Sequence, residues 1–397
     1  MAILALRMKG TYLTRNVILI SLSAFFADLG YQAVLAGFPY FLVFVLQAPV
    51  YVYGIAEAVN YGIGSIFSYA GGRIGDRIGN KRTAIIGNAF VPILSLTGLA
   101  SGIPQAIAIR AAGWYMRNFR SPSRRAMLVD SVDERDRGRA FGFLHGLDVG
   151  GGLLSSVFLV LLLFYGISIK DIFLLTAIPI VASTLVLLPV RPTIRRHVME
   201  QTETPAGSRL AYLGVLLSTS LFGFSFYSMG YPIITITESF KNPILGILSY
   251  TIFMGASATA GVIFSRFRVV REIRMLGYAG YLLAAFGSLG FALSLHFGAS
   301  LMWLYVSDIV ISFGTGSVET FEPSIVSKAV KASSMGTGMG WLSATRSIGL
   351  FTGNIVMGIL YIFSAQYSYL YAFAVSGLAA LIIITMGSRF ERSVISG

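Results

Sequence analysis

The chain contains no cysteine, which excludes disulfides, thiolate metal sites and a cysteine nucleophile. Histidine occurs only as His145, His197 and His296, too few and too scattered for a polyhistidine metal centre. Charge is scarce as well. Asp, Glu, Lys and Arg make up 12% of the 397 residues, about half the roughly 25% found in soluble domains. There is no His-Glu-x-x-His, no recognisable nucleophile constellation and no Walker-type phosphate loop. These absences argue against an enzyme or a primary pump and call for no cofactor and no metal.

What is abundant is apolar. Hydrophobic residues supply 55% of the chain and the mean hydropathy is +0.75, more than a soluble core can hide. Stretches of about 20 apolar residues, enough to cross a ~30 Å hydrocarbon layer as a helix, recur at 16–45, 50–72, 83–102, 104–122, 138–165, 171–190, 210–236, 243–265, 275–297, 300–323, 336–363 and 367–388. The pattern predicts an all-α membrane protein with twelve transmembrane helices. The first span contains Gly37-Phe38-Pro39 and is expected to tilt or bend. No short apolar run with a small-residue cleavage site precedes it, so no removable signal peptide is expected.

Lysine and arginine concentrate at the N-terminus, in the loops after spans 2, 4, 6, 8 and 10, and at the C-terminus. The positive-inside rule then places both termini in the cytoplasm. The formal charge of +13 is thereby a topology charge, not the footprint of a nucleic-acid partner. Short loops and the lack of Asn-x-Ser/Thr sequons fit a prokaryotic inner membrane.

The longest polar stretch between spans, 191–209, divides the chain into an N-terminal six-helix half (1–190) and a C-terminal one (210–397). The halves repeat. Tyr61, Ile63, Ser68, Gly72, Ile74, Arg77 and Arg82 recur 189 positions later as Tyr250, Ile252, Ser257, Gly261, Ile263, Arg266 and Arg271. Gly30 and Gly37-Phe38-Pro39 return 193 positions on as Gly223 and Gly230-Tyr231-Pro232. At an offset of 198, Gly138 and Gly142 match Gly336 and Gly340, and Asp148 falls opposite Arg346. Two parallel six-helix pseudo-repeats around a central cavity are a transporter architecture, with the substrate site at the midplane.

The loop after span 2 reads 72-GRIGDRIGNKR-82. Gly72 and Gly75 permit close helix packing, Gly79 permits a tight turn, and Asp76 with Arg77, Lys81 and Arg82 offers paired charges at a helix end. This spacing, between spans 2 and 3 of twelve, resembles the signature loop of the major facilitator superfamily. The resemblance implies that Asp76, Arg77 and Arg82 latch the cytoplasmic ends of the two halves in one state of an alternating cycle. The second copy keeps Gly261, Arg266 and Arg271 but has Ser265 in place of the acid. Gly142, Gly146, Gly150, Gly151 and Gly152 resemble the antiporter signature of span 5, without its proline. Arg110 occupies a place common in proton-coupled members, with Gly113 at three residues rather than four. The segment 120–142 joins spans 4 and 5 as a solvated loop or a salt-bridge gate.

Ionisable residues at membrane depth are functional candidates because burying them is expensive. They are Asp28, Glu57, Arg110, Asp148, Asp308 and Arg346, with Glu319 and Glu322 near the end of span 10. At 1.5 Å per residue, Asp28 and Arg110 lie ~18 Å deep, Asp148 and Arg346 ~15 Å, and Asp308 ~22 Å. Spans 3, 6, 9 and 12 have none inside, which suits the lipid-facing support helices of the family. Arg110 is expected to pair with Asp148 and Arg346 with Asp308, leaving Asp28 as the exchangeable acid. Asp28, Tyr31 and Gln32 share one helix face by i, i+3, i+4 spacing. His145 and Asp148 do too. Phe222, Phe224, Phe226, Tyr227 and Tyr231 form an aromatic set in span 7 that, with one side facing the cavity, favours an amphipathic or aromatic substrate over a sugar.

The expectation is a secondary active transporter moving a small organic molecule by alternating access, coupled to protons and working as an exporter. Uptake by symport and passive facilitation are the alternatives. The expected partners are a small-molecule substrate, protons and membrane lipid, and the expected state is a monomer.

Overall fold

The computed structural model describes residues 12–133, 136–191, 208–225, 229–266, 271–329 and 335–395. Regular structure among them is helical throughout. The twelve crossings are α1 (Arg15–Tyr40, continued by a π-helical turn Phe41–Val45), α2 (Val50–Ile78), α3 (Asn80–Phe90, continued as 3-10 helix Val91–Leu99) and α4 (Ile103–Asp130). Then come α5 (Arg137–Phe164), α6 (Ile169–Leu175 and Ala177–Leu187), α7 (Ser208–Ser225 and Gly230–Phe240) and α8 (Pro243–Arg266). The last four are α9 (Glu272–His296, with a π-helical Leu276–Leu282), α10 (Leu301–Ala329), α11 (Met335–Phe363) and α12 (Ala365–Ile395).

Local chemistry sets the ends. Thr14 caps α1 by accepting the Val17 N–H on its hydroxyl at 3.2 Å. Pro39 lies inside the helix, and the hydrogen-bond register widens to a π turn just past it. The irregularity expected at Gly37-Phe38-Pro39 is therefore a change of helix type. Gly79 ends α2 at φ 97°, a backbone region that disfavours side chains, and lets α3 start at once.

Nine helical stretches among the described residues are long and apolar enough to cross a membrane. The other three crossings are α2, α4 and α7. The first two carry charges that lower their hydropathy, and α7 is interrupted by residues 226–228, outside the described set. Lipid-facing leucine, isoleucine and phenylalanine cover the outside, including Ile86, Phe90, Ile178, Leu185, Phe286 and Leu381 on α3, α6, α9 and α12. Phe164, Tyr165, Phe297, Trp303, Phe363 and Tyr367 are exposed at helix ends on one level, an aromatic belt at a membrane interface. That level lies on the face away from the chain ends, here called the opposite face; the other is the terminal face.

Without a hydrophobic force between helices in lipid, small residues and polar seams hold the bundle. Gly151 lets α5 approach the α1 backbone so closely that a Cβ there would collide with the Phe25 carbonyl. Ser23 donates to the Ser183 carbonyl at 2.9 Å, and Asn88 donates to Ser183 and Thr184 at 3.0 and 2.8 Å, tying α1, α3 and α6 together. α2 packs on α11, and α1 and α5 on α8, joining the first six helices to the last six.

That junction is tight at the opposite face. Tyr53 and Tyr231 meet edge-to-face at 5.5 Å, and the Tyr231 hydroxyl donates to the Asn354 carbonyl at 2.7 Å. Gly54 lies where any side chain would strike that same carbonyl. At the terminal face, by contrast, the Cβ positions of Gly142, Gly146 and Gly150 on α5 meet nothing within 4 Å. These three glycines thus do not serve helix packing in this conformation; Gly151 does. The polar linker 192–207 lies outside the described residues, as do the side chains of Gly138, Ser265, Arg266 and Gly336.

Candidate functional site

Charged side chains buried among apolar helices collect around α1, α2, α4 and α5. Asp28 is 4% exposed. Its Oδ1 accepts from the Tyr31 hydroxyl and from Gln32 Nε2, the latter at 3.0 Å. This face was legible from i, i+3, i+4 spacing. Gln32 Oε1 in turn accepts from the Tyr250 hydroxyl of α8 at 2.6 Å, a bond that crosses from the first six helices to the last six. Asp28 Oδ2 is buried with no hydrogen-bond partner among the described residues.

The expected pairing of Arg110 with Asp148 is not what the fold makes. Arg110 Nη2 lies 2.5 Å from Glu57 Oε1, with both side chains at most 5% exposed, and its guanidinium stacks 4.3 Å from the Phe38 ring centre. Asp148 instead faces Arg124 at 3.5 Å. The reason is topological: α4 packs on α2 along its length and only sparsely on α5, so Arg110 meets an acid from α2.

The pairing of Arg346 with Asp308 fails likewise. Arg346 binds Glu319 at 2.5 Å and Glu322 with its other nitrogen. Glu322 also accepts from Tyr281 at 2.5 Å and Thr219 at 2.9 Å. Asp308 is fully buried in α10, and neither of its carboxylate oxygens has a hydrogen-bond partner among the described residues. The lone acid is therefore Asp308; Asp28 is held by neighbours.

The repeat explains this arrangement. Arg124 and Glu322 are 198 positions apart, and so are Asp148 and Arg346. The α4–α5 ion pair and the α10–α11 ion pair are thus the same contact with its charges exchanged. Arg110 and Asp308 are related by the same offset. Glu57, which neutralises Arg110, has Gly246 as its counterpart 189 positions on, so the sequence carries no acid-or-base partner at that repeat position.

Arg117, inside the predicted span 104–122, and Arg120 and Arg124, in the segment 120–142 expected to be a solvated loop or a salt-bridge gate, are buried groups that the expected set of membrane-depth charges left out. Their spacing was a signal: Arg110, Arg117 and Arg124 recur every seven residues and share a face of a helix that runs unbroken to Asp130. Arg117 stacks on Trp114 and Tyr31 with centroid distances of 4.9 and 5.5 Å. Arg120 is 1% exposed and donates to Asn88. Tyr250 was noted only as the repeat of Tyr61, whose ring meets Trp114 at 6.2 Å.

Other candidates lie elsewhere. Asp76, Arg77, Gly79 and Arg82 are exposed at the terminal end of α2 and α3, with Gly72 and Lys81 partly covered, and Asp76, Arg77 and Arg82 make no ion pair among the described residues. Gly72 meets Pro122 at an ordinary 3.6 Å, so close packing there rests on Gly71, against the Phe119 carbonyl, and on Gly75, against the Ser123 side chain. His145 is exposed and takes no part in the Asp148 contact. Phe222 and Tyr231 are buried in packing against Tyr281 and Tyr53; Phe224, Phe226 and Tyr227 fall outside the described side chains. An apolar groove of about 650 Å³ between α2 and α4 is lined by Val52, Val59, Ile103, Ile107 and Tyr115.

A twelve-helix bundle with a charged interior and a Gly-Asp-Arg loop invites comparison with known families, and the family model described as Major Facilitator Superfamily matches residues 20–353. The chain belongs to the major facilitator superfamily. As a member it is a membrane transporter and not an enzyme. Similar solved structures include a D-xylose-proton symporter, 14% identical, covering 94% of this chain and 97% of that one with a TM-score of 0.77. A bacterial homolog of the human lysosomal transporter Spinster, solved inward-facing and occupied, is 13% identical over 95% of this chain and 97% of that one, with a TM-score of 0.72. A peptide transporter, POT, is 12% identical over 95% of each chain with a TM-score of 0.74. Such identities speak for the superfamily fold alone. No curated protein matches the sequence.

Proposed function

We propose that this transporter moves a small amphipathic organic molecule by alternating access coupled to protons, with export as its direction. One observation carries the coupling. Asp28 organises Tyr31 and Gln32 around one oxygen, and Gln32 is the acceptor for Tyr250 across the two groups of helices. A proton on Asp28 removes the charge that orients the Gln32 amide and thereby weakens a bond that holds the groups together. The titration of one buried acid is so connected to the contact that must break when the transporter changes state. Asp308, unpartnered in α10, is the second candidate proton site. Arg110–Glu57 and Arg346–Glu319–Glu322 are fixed pairs that hold helices in place.

In this reading the six-helix halves 1–190 and 210–397, joined by the cytoplasmic linker 191–209, rock against each other, with both termini in the cytoplasm of a prokaryotic inner membrane and the monomer as the working unit. The exposed Asp76, Arg77 and Arg82 and the contact-free α5 glycines support a state in which the signature loop is disengaged, to re-engage when the terminal face closes. Export rests on the α5 glycines, whose contact-free strip resembles the antiporter signature.

Uptake by proton symport is the second reading, favoured by the arginine face of α4. An arginine released when Asp28 is protonated can take a substrate group, so proton and substrate would travel together.

The test uses purified protein in liposomes loaded with a pH-sensitive dye and challenged with pooled amphipathic compounds, wild type beside Asp28→Asn. A substrate-triggered proton flux that disappears in the variant supports coupling at Asp28. Flux that persists unchanged moves the proton site to Asp308 or Asp148, and substrate movement without any proton flux makes the protein a passive facilitator.

A further inference from the structure

The α4 arginines are more numerous than the acids that face them. Arg117, Arg120 and Arg124 occupy one side of the helix at i, i+3 and i+7 and lie within electrostatic range of one another. The titratable groups turned toward them are Asp28 and Tyr31 from α1 and Asp148 from α5, while Arg125, exposed on the same helix, adds a further positive charge within range of Arg117, Arg124 and Asp148 and so only enlarges the excess. Asn88 of α3 is neutral. Three guanidiniums thus meet two carboxylates, and Asp28 already spends one oxygen on Tyr31 and Gln32. A guanidinium stays charged at any working pH, so the imbalance cannot be relieved by losing a proton.

The hydrogen-bond inventory agrees with the charge inventory. Arg117 Nε, Arg120 Nε and Nη2, and Arg124 Nε and Nη1 are buried and without a hydrogen-bond partner among the described residues. Arg120 is 1% and Arg124 7% exposed. Unmade hydrogen bonds on buried charged groups are costly, and five on three adjacent side chains form a receptor for acceptor oxygens. The receptor is held rigid: Arg117 is sandwiched by Trp114 and Tyr31, and Arg120 is anchored on Asn88. Planar guanidinium forks match carboxylate and phosphate oxygens two at a time. Nothing equivalent exists in the last six helices, where the positions 198 residues after Arg117 and Arg120 are Thr315 and Val318.

We infer that the cargo carries an anionic group, a carboxylate or a phosphate, and that Arg117, Arg120 and Arg124 bind it beside Trp114. The inference rests on the transporter reading above and names the chemical class that reading leaves open. Asp28 and the cargo anion then compete for Arg117, so the cargo binds best when Asp28 is protonated, the order of events of the symport reading rather than of export.

Trp114 supplies the assay. The chain has three tryptophans, and Trp303 and Trp341 are 64% and 56% exposed on the outside of the bundle. A Trp303→Phe, Trp341→Phe background in phosphatidylcholine nanodiscs leaves Trp114 as the reporter. The probes are sodium sulfate, hexanoate and, with the same tail and opposite charge, hexylammonium. Sulfate and hexanoate should give saturable changes in Trp114 fluorescence, and hexylammonium none. Arg117→Gln with Arg124→Gln should weaken the anions at least tenfold. Asp148→Asn, which removes a competing carboxylate, should tighten them severalfold, a gain that misfolding cannot imitate. Equal response to hexylammonium, or weaker anion binding in Asp148→Asn, overturns the inference. So does a signal that appears only when phosphatidylglycerol is added to the disc, since the site would then serve a lipid headgroup. Anion binding without substrate-triggered proton flux in liposomes leaves the anion site standing and refutes the proton coupling instead.

Discussion

Glu57 and Asp308 are both buried carboxylates at membrane depth, and replacing each by its amide should have opposite consequences. Glu57 faces Arg110 at 2.5 Å with both side chains almost fully covered. Glu57→Gln leaves a guanidinium that cannot deprotonate, and stranding one member of a buried pair costs about 3–5 kcal/mol. Stacking of Arg110 on Phe38 at 4.3 Å is worth up to about 2 kcal/mol, but it is present in the wild type too and offsets none of the loss. Asp308 has no partner to strand. Asp308→Asn removes a buried carboxyl that no neighbour among the described residues compensates, and its effect should be within about 1 kcal/mol or stabilising. Melting of the detergent-purified protein, followed by size-exclusion recovery after heating, checks the order: Asp308→Asn at or above wild type, Glu57→Gln well below. The double variant Arg110→Gln, Glu57→Gln should recover much of the loss, because the uncompensated charge is gone. A Glu57→Gln protein as stable as wild type, or a double variant worse than either single one, would refute the argument.

Tyr250→Phe removes the hydroxyl that spans to Gln32; at about 1 kcal/mol for one hydrogen bond, the balance between the two states should shift roughly fivefold, read by cysteine labelling at the terminal face. Exchanging the charges of the α4–α5 pair, Arg124→Asp with Asp148→Arg, should restore folding relative to either single change, whereas Arg110→Asp with Asp148→Arg should rescue nothing. Gly146→Leu adds a side chain where nothing lies within 4 Å, so melting should be unchanged, while flux should fall if α5 must close on its neighbour during the cycle. Loss of stability in Gly146→Leu would show that the open strip is a packing surface after all.

The sequence alone determined the membrane class, the number of crossings and the repeat, because each rests on a constraint that acts along the chain. Lipid demands about 20 apolar residues per helix, and duplicated halves keep their offsets of 189 to 198 positions. The superfamily was legible from the Gly-Asp-Arg loop, and the Asp28–Tyr31–Gln32 cluster from spacing within a single helix. Which charge meets which was another matter. A helical period says that Arg110, Arg117 and Arg124 share a face but not what that face looks at, and 53 residues separate Arg110 from Glu57. Only the packing of α4 along α2, rather than α5, decided that pairing. The α4 arginines were misjudged because a window of low hydropathy looks the same whether its charges face water or one another; burial is a property of the neighbouring helices, and those are supplied by tertiary structure.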